Sequence, residues 1–175
     1  LAAKNENEKS EPASITKIMT ALIALENADI KKVVTIPSAA AGVEGSSIYI
    51  KAGEKYSLED LLYGLMLRSG NDAATAIAID VAGSVDAFVE KMNQKAQELG
   101  CTGTHFNNPH GLPDEKHYTT AHDMALITAA SPHISFAPST TTAIRIPLRS
   151  AAPTYVLPAL LVYPVFTPMA PSYCH

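Results

Sequence analysis

The sequence contains no tryptophan and only two cysteines among 175 residues. Cys101 and Cys174 are too few for a disulfide framework and show no metal-site spacing, and nothing in the sequence indicates a metal or organic cofactor. No uninterrupted apolar run approaches the roughly 20 residues of a transmembrane helix, so we expect none. The polar residues 1–10 do not resemble a signal peptide. A net charge of −4 gives no electrostatic case for binding nucleic acid.

Charged residues are nearly absent from the last part of the chain. All 17 acidic residues lie at or before Asp123, and no lysine follows Lys116. Residues 131–175 instead contain eight of the twelve prolines, which disfavour long helices. We therefore expect one domain over residues 1–130, followed by an anomalous Pro-rich segment over 131–175. Good strand-forming side chains favour a short strand at 140–148.

A proline, a serine and a lysine begin the apolar segment 12–25. Proline suits the first turn of a helix. The residues that follow are apolar nearly all round, which predicts a buried helix ending near Asn27. Ser14 and Lys17 stand one helical turn apart and share a face. Our hypothesis is that Ser14 is a nucleophile activated by the Lys17 amine; the structural alternative is a capping serine beside a solvated lysine.

Hydrophobic periodicity predicts a mostly helical lobe over about residues 37–130. Ser57 and Asp60 form a capping-box pattern, and Asn71 or Asp72 is a candidate cap for the next helix. A β-branched run predicts one strand, and a weaker alternation suggests a second. The predicted elements are strands at 33–36 and 46–51 and helices at 57–67, about 72–82, 85–99 and 120–130.

Ser69-Gly70-Asn71 lies between two predicted helices. Glycine permits a tight turn there, so the serine hydroxyl and the asparagine amide can both point into a cleft. The structural alternative is a helix cap followed by a turn. His110 stands beside proline and glycine in a loop, which favours a structural hydrogen-bonding role over a Ser–His dyad. The six histidines show no metal-ligand spacing.

Ser-x-x-Lys followed by Ser-x-Asn is a motif pair of penicillin-binding proteins and serine β-lactamases. Segments 12–21 (PASITKIMTA), 65–74 (LMLRSGNDAA) and 108–112 (NPHGL) resemble the serine-type D-alanyl-D-alanine carboxypeptidases, the low-molecular-weight penicillin-binding proteins of bacteria. The resemblance covers about residues 3–130. Gly70 favours this family over class A β-lactamases. A β-lactamase-like hydrolase would also need a deacylating glutamate, which no motif supplies.

The resemblance implies an α/β (α+β) fold of the penicillin-binding protein and serine β-lactamase type. The chain would contribute the nucleophile helix and the helical lobe, with an incomplete antiparallel sheet. The implied partners are peptidoglycan stem peptides ending in D-Ala-D-Ala, with β-lactams as covalent inhibitors. The implied location is extracytoplasmic, at the bacterial cell envelope or secreted.

The resemblance also implies a role for each matching residue. Ser14 would attack the carbonyl of the penultimate D-alanine, and Lys17 would accept its proton. Ser69 would relay a proton to the departing D-alanine. Asn71 would bind the substrate amide and hold Lys17. The backbone N–H of Ser14 would supply half of an oxyanion hole.

One motif of this family is absent from the sequence. The family's Lys-Thr-Gly strand binds the substrate carboxylate, and the strand supplies the second oxyanion donor. Here Thr102-Gly103 follows Cys101 rather than a lysine. The resemblance stops after about residue 130, and the expected causes are a frameshifted reading, an uncertain sequence assignment or a truncated fragment. The alternative function is therefore a catalytically impaired or binding-only remnant that contacts peptidoglycan or a partner.

Overall fold

A computed structural model describes residues 4–131. The strand predicted at 140–148 and the Pro-rich segment after Ser131 lie outside these residues. Within them the chain is mostly helical, with one small antiparallel sheet. The elements are α1 (Thr16–Asn27), β1 (Val33–Thr35), β2 (Lys55–Ser57), α2 (Leu58–Arg68), α3 (Asn71–Ala82), α4 (Val85–Glu98) and α5 (Ala121–Ala130).

Helix α1 is buried on two sides, which explains why its sequence is apolar nearly all round. Ala21 and Ala24 pack into a cluster built largely from α2 and α3. Met19, Leu22 and Ile23 pack into a second cluster with side chains from α4 and α5. A short 3₁₀ turn, Ala13–Ile15, precedes α1 and is exposed, whereas Thr16 and Lys17 at the start of α1 are buried. The predicted buried helix ending at Asn27 is confirmed.

The other predicted helices form, and α2, α4 and α5 have the expected ends. Ser57 accepts from the Asp60 N–H at 3.0 Å, and the Asp60 carboxylate accepts from the Ser57 N–H at 3.3 Å, which confirms the capping box of α2. Ser84 and Thr120 cap α4 and α5 through their side chains. Gly100, at φ +81°, follows α4 as the predicted stop.

The sheet has two strands in antiparallel register. Val33 pairs with Ser57, Val34 with Tyr56 and Thr35 with Lys55. The register turns Val34 into the core, where it is 1% exposed, and leaves its neighbours outside. This alternation is the half-buried strand pattern.

The strand predicted at 46–51 is wrong. The Asp72 carboxylate accepts from the Ile48 N–H at 3.1 Å and from the Ile50 N–H at 3.2 Å. Two donors that a neighbouring strand would have used are therefore taken by a side chain. Tyr49 between them adopts a left-handed backbone, φ +61°, which also interrupts an extended strand.

The predicted cap of α3 is also wrong. Gly70 occupies the cap position, and no side-chain bond caps the helix. Asn71 and Asp72 instead lie buried in the first turn, 4% and 0% exposed, and direct their side chains to other parts of the fold. These contacts belong to the site described next.

Candidate active site

Ser14 lies in the 3₁₀ turn before α1, and Lys17 lies in the first turn of α1. The two side chains differ in their exposure to solvent. Ser14 is exposed, whereas Lys17 is only 2% exposed. Ala13 adopts φ +47°, an uncommon conformation for a residue with a side chain. Such strained positions cluster at functional sites. The turn thus presents one hydroxyl to solvent directly above a buried amine.

The Lys17 amine has three oxygen neighbours. It donates to Asn71 Oδ1 at 2.8 Å and to the His110 carbonyl oxygen at 2.7 Å. The third neighbour is Ser14 Oγ, 3.4 Å away. A neutral amine has two N–H donors and one lone pair. The two carbonyl oxygens can only accept, so a neutral Lys17 would satisfy both of them and direct its lone pair toward Ser14.

Burial lowers the pKa of Lys17 from 10.5 to about 8. Removing a charged ammonium from water disfavours the charged form. No carboxylate forms an ion pair with Lys17 within residues 4–131 to offset this effect. A substantial fraction of Lys17 is therefore neutral near pH 8.

Ser69 is held in a left-handed conformation at the end of α2. Its φ and ψ are 55° and 33°, and the Gly70 N–H closes the helix end on the Gly64 carbonyl at 3.1 Å. This turn aims the Ser69 hydroxyl at Ser14, whose Oγ it contacts at 3.0 Å. Ser14 Oγ therefore touches both the Lys17 amine and a second hydroxyl.

Asn71 is fixed by three hydrogen bonds. Its Oδ1 accepts from Lys17, its Nδ2 donates to the Glu44 carbonyl at 2.7 Å, and its backbone N–H donates to the Ser46 carbonyl at 2.7 Å. The Glu44 carbonyl can only accept, so it determines which end of the Asn71 amide faces Lys17. The structure thus brings together all four predicted site residues: Ser14, Lys17, Ser69 and Asn71.

The loop at 108–112 supplies site contacts that sequence reasoning missed. The sequence singled out the NPHGL segment, but assigned no contact to its backbone. The His110 carbonyl binds Lys17, and the Pro109 carbonyl accepts from Thr20 Oγ1 at 2.6 Å. Asn108 Oδ1 in turn accepts from the N–H of Gly111 at 2.6 Å, which shapes the loop.

Position 111 requires glycine because its backbone closely approaches the Ala13–Ile15 turn. Its φ is +90°, and a Cβ built there would lie 1.8 Å from the Ala13 carbonyl oxygen. No side chain fits that gap, and few residues other than glycine adopt that conformation. The glycine in this motif is therefore explained by backbone packing against the turn that carries Ser14.

The histidines near the site have structural contacts. The His110 ring accepts from the Leu112 N–H at 3.3 Å. His117 Nδ1 accepts from the Asn107 N–H at 2.9 Å, so its Nε2 carries the proton shared with Thr16 Oγ1 at 2.8 Å. Burial lowers the pKa of both imidazoles to about 4, which keeps them neutral at pH 7.

Residues 4–131 contain no group of three or more histidine, cysteine or acidic side chains placed to hold a metal ion. No helix among them is long and apolar enough to cross a bilayer.

Comparison with known proteins places this chain in a family. A family model described as D-alanyl-D-alanine carboxypeptidase matches residues 1–152, beyond the boundary near residue 130 that the motifs indicated. D-alanyl-D-alanine carboxypeptidase DacF of Bacillus subtilis (strain 168) is 45% identical over 129 residues, which cover 71% of this chain and 33% of the relative.

Solved structures give the same result. The D-alanyl-D-alanine carboxypeptidase DacD of Francisella tularensis matches with a TM-score of 0.72 and 44% identity, covering 78% of this chain and 34% of that one. Penicillin-binding protein 5 of Haemophilus influenzae matches with a TM-score of 0.70 and 36% identity, covering 74% and 40%.

These matches define a domain of the penicillin-binding protein fold, as predicted, here seen as its helical lobe and nucleophile helix with a small antiparallel sheet. The chain belongs to the D-alanyl-D-alanine carboxypeptidase family. It spans about a third of the length of DacF.

Proposed function

We propose that this chain is a serine-type D-Ala-D-Ala carboxypeptidase that removes the terminal D-alanine from peptidoglycan stem peptides. The observation that carries the proposal is the double contact of Ser14 Oγ, 3.4 Å from the Lys17 amine and 3.0 Å from Ser69 Oγ. Catalytic hydrogen bonds are often long before substrate binds, so a 3.4 Å separation suits a nucleophile and its base.

In the proposed acylation, Lys17 in its neutral form accepts the Ser14 hydroxyl proton as Oγ attacks the penultimate D-alanine carbonyl. The bond from Oγ to carbon forms, and the backbone N–H of Ser14 donates to the developing oxyanion. The bond from carbon to the leaving nitrogen then breaks. The proton passes from Lys17 through Ser69 to the departing amine, and D-alanine leaves.

Deacylation completes the cycle with water as nucleophile. Water attacks the acyl carbonyl and loses a proton to Lys17. The bond from carbon to Ser14 Oγ then breaks, Lys17 returns the proton to Oγ, and the shortened peptide leaves as a carboxylic acid. A β-lactam would acylate the same oxygen. Asn71 acts in both half-reactions by holding the Lys17 amine, and we assign to it the substrate amide as well. The family's activity indicates an extracytoplasmic site of action at the bacterial cell envelope.

A binding-only remnant is the second candidate, because the sequence contains no Lys-Thr-Gly. A domain without that motif lacks one oxyanion donor, a loss on the order of 10²- to 10³-fold in rate. This candidate would contact peptidoglycan or a partner through the helical lobe without appreciable turnover.

Two assays on the same preparation separate these candidates. A carboxypeptidase releases D-alanine from a diacetyl-L-Lys-D-Ala-D-Ala peptide and takes up a fluorescent penicillin covalently. Ser14→Ala should abolish both signals, while Ser84→Ala, at a remote helix cap, should retain both. A folded chain that binds the peptide but neither releases D-alanine nor labels would instead be the remnant.

A further inference from the structure

Asp72 is a buried carboxylate that the proposed reaction does not use. It is 0% exposed, and no cation forms an ion pair with it within residues 4–131. It accepts instead from neutral donors: Ser47 Oγ at 2.6 Å, the Ile48 N–H at 3.1 Å and the Ile50 N–H at 3.2 Å. Hydrogen bonds to a charged acceptor are the strong ones, so this carboxylate holds the 44–50 segment firmly.

The same segment contacts Asn71 on its other side. The Glu44 carbonyl accepts from Asn71 Nδ2, and the Ser46 carbonyl accepts from the Asn71 backbone N–H, each at 2.7 Å. Between them lies Gly45, at φ +86°, where an added Cβ would stand 2.7 Å from Asn71 Nδ2. The backbone therefore presses directly against the amide.

An asparagine amide has nearly the same shape when its oxygen and nitrogen exchange places. Only its partners decide which atom faces Lys17. A flipped Asn71 would direct an N–H group at the Lys17 amine. That N–H would donate to the amine's lone pair, which would then no longer face Ser14. The acceptor at Glu44 prevents the flip, and the segment that carries Glu44 is anchored by Asp72.

We propose that Asp72 is a positioning residue, which acts through the 44–50 segment to keep the Asn71 amide oxygen on Lys17. Asp72 directly follows Asn71 in the sequence, so the carboxylate that holds the segment and the amide that it positions lie on the same turn of α3. The catalytic consequence rests on the proposed function, but the positioning itself is measurable without any reaction.

The direct test is an NMR titration of ¹³C-labelled lysine, with Lys17 assigned through Lys17→Arg. Burial is the cause of the lowered Lys17 pKa, and no charged side chain contributes a shift to it. The neighbouring His110 is neutral throughout the range, because its pKa is about 4. A change in the Lys17 midpoint therefore reports the hydration and hydrogen bonding of the amine.

In Asp72→Asn, one acceptor oxygen becomes a donor facing other donors, so the segment should lift and admit water to Lys17. We expect the Lys17 midpoint to rise by about one pH unit, which leaves about tenfold less neutral amine at pH 7. Penicillin acylation at pH 7 should fall by about the same factor. Asp123→Asn is the matched control, since that buried carboxylate binds Gly103 and Thr104, away from Lys17.

If Asp72→Asn does not fold, Gly45→Ala tests the contact between the 44–50 segment and Asn71, with Gly42→Ala as its matched control. Both glycines have positive φ, but a Cβ at Gly42 meets nothing within 4 Å. Of these two variants, Gly45→Ala should shift the Lys17 midpoint and perturb the Asn71 side-chain amide signals, and Gly42→Ala should change neither. A folded Asp72→Asn, or failing that a folded Gly45→Ala, with the wild-type midpoint overturns the proposal. If the substitutions shift the Lys17 midpoint but the wild-type protein is never acylated, only the proposed function is overturned.

Discussion

The hydroxyl oxygens of Ser14 and Ser69 lie 3.0 Å apart, although the residues are 55 positions apart in the chain. Two local structures create this contact: the 3₁₀ turn before α1 and the left-handed end of α2. Neither motif is specific alone. Their convergence on one buried amine is the basis for our proposal that Ser14 is a nucleophile and not a helix cap.

Replacing Ser69 tests whether that contact carries a proton. Ser69→Ala removes the hydroxyl nearest to Ser14 and should slow penicillin acylation by about 10²-fold or more, the usual contribution of a positioned acid or base. Stopped-flow acylation kinetics measure the effect. Ser84→Ala removes a helix-capping hydroxyl instead and should leave the rate unchanged. Equal rates for wild type and Ser69→Ala would remove Ser69 from the reaction.

The acylation rate should depend on pH through Lys17. The amine acts as a base only when it has lost its proton, and its pKa is lowered to about 8 by burial. The second-order rate constant should therefore rise with pH, with a midpoint near 8, and reach a plateau above it. A pH-independent rate between 6 and 9 would contradict the assignment of Lys17 as the base.

Gly111→Ala should damage both stability and reactivity. The added methyl meets the Ala13 carbonyl at 1.8 Å, so the 108–112 loop or the Ala13–Ile15 turn must move. We expect a loss of several kcal/mol of unfolding free energy in urea and slow penicillin labelling. Gly100→Ala is the matched control, because it shares the positive φ but has open space around its Cβ. It should cost about 1 kcal/mol and label normally.

His117 should make the fold less stable in mild acid. Burial lowers its folded-state pKa to about 4, below the ordinary 6.5, so the unfolded chain takes up the proton first. The contribution is complete above pH 6.5 and is lost as pH falls toward 4, by at most about 3 kcal/mol. Urea unfolding between pH 7 and 4 measures it. His117→Gln should flatten the pH dependence relative to His122→Gln, a change at a half-exposed histidine.

The sequence predicted the elements whose signals are local. Apolar periodicity located the helices, and the capping residues Ser57 and Thr120 placed their starts correctly. The strand at 46–51 failed because its pattern cannot reveal that Asp72, some 20 positions later, takes its backbone donors. The same long-range contact explains why Asp72 is an anchor and not a helix cap.

The sequence predicted the side chains of the candidate site but not its backbone contacts. Ser14, Lys17, Ser69 and Asn71 carry distinctive groups at recognisable spacings, and the structure brings them together. The acceptor carbonyls of Glu44 and His110 gave no such signal, because every residue has a carbonyl. Only the glycines beside them, Gly45 and Gly111, hint in the sequence that backbone approaches closely there.

The most direct test of the account is the site of penicillin attachment. The chain should be incubated with benzylpenicillin, digested with trypsin and mapped by mass spectrometry. We predict one covalent adduct within residues 10–17, on Ser14, which Ser14→Ala abolishes while Ser57→Ala retains it. No adduct on folded protein, or an adduct on another residue that persists in Ser14→Ala, would contradict the assignment of Ser14 as the nucleophile.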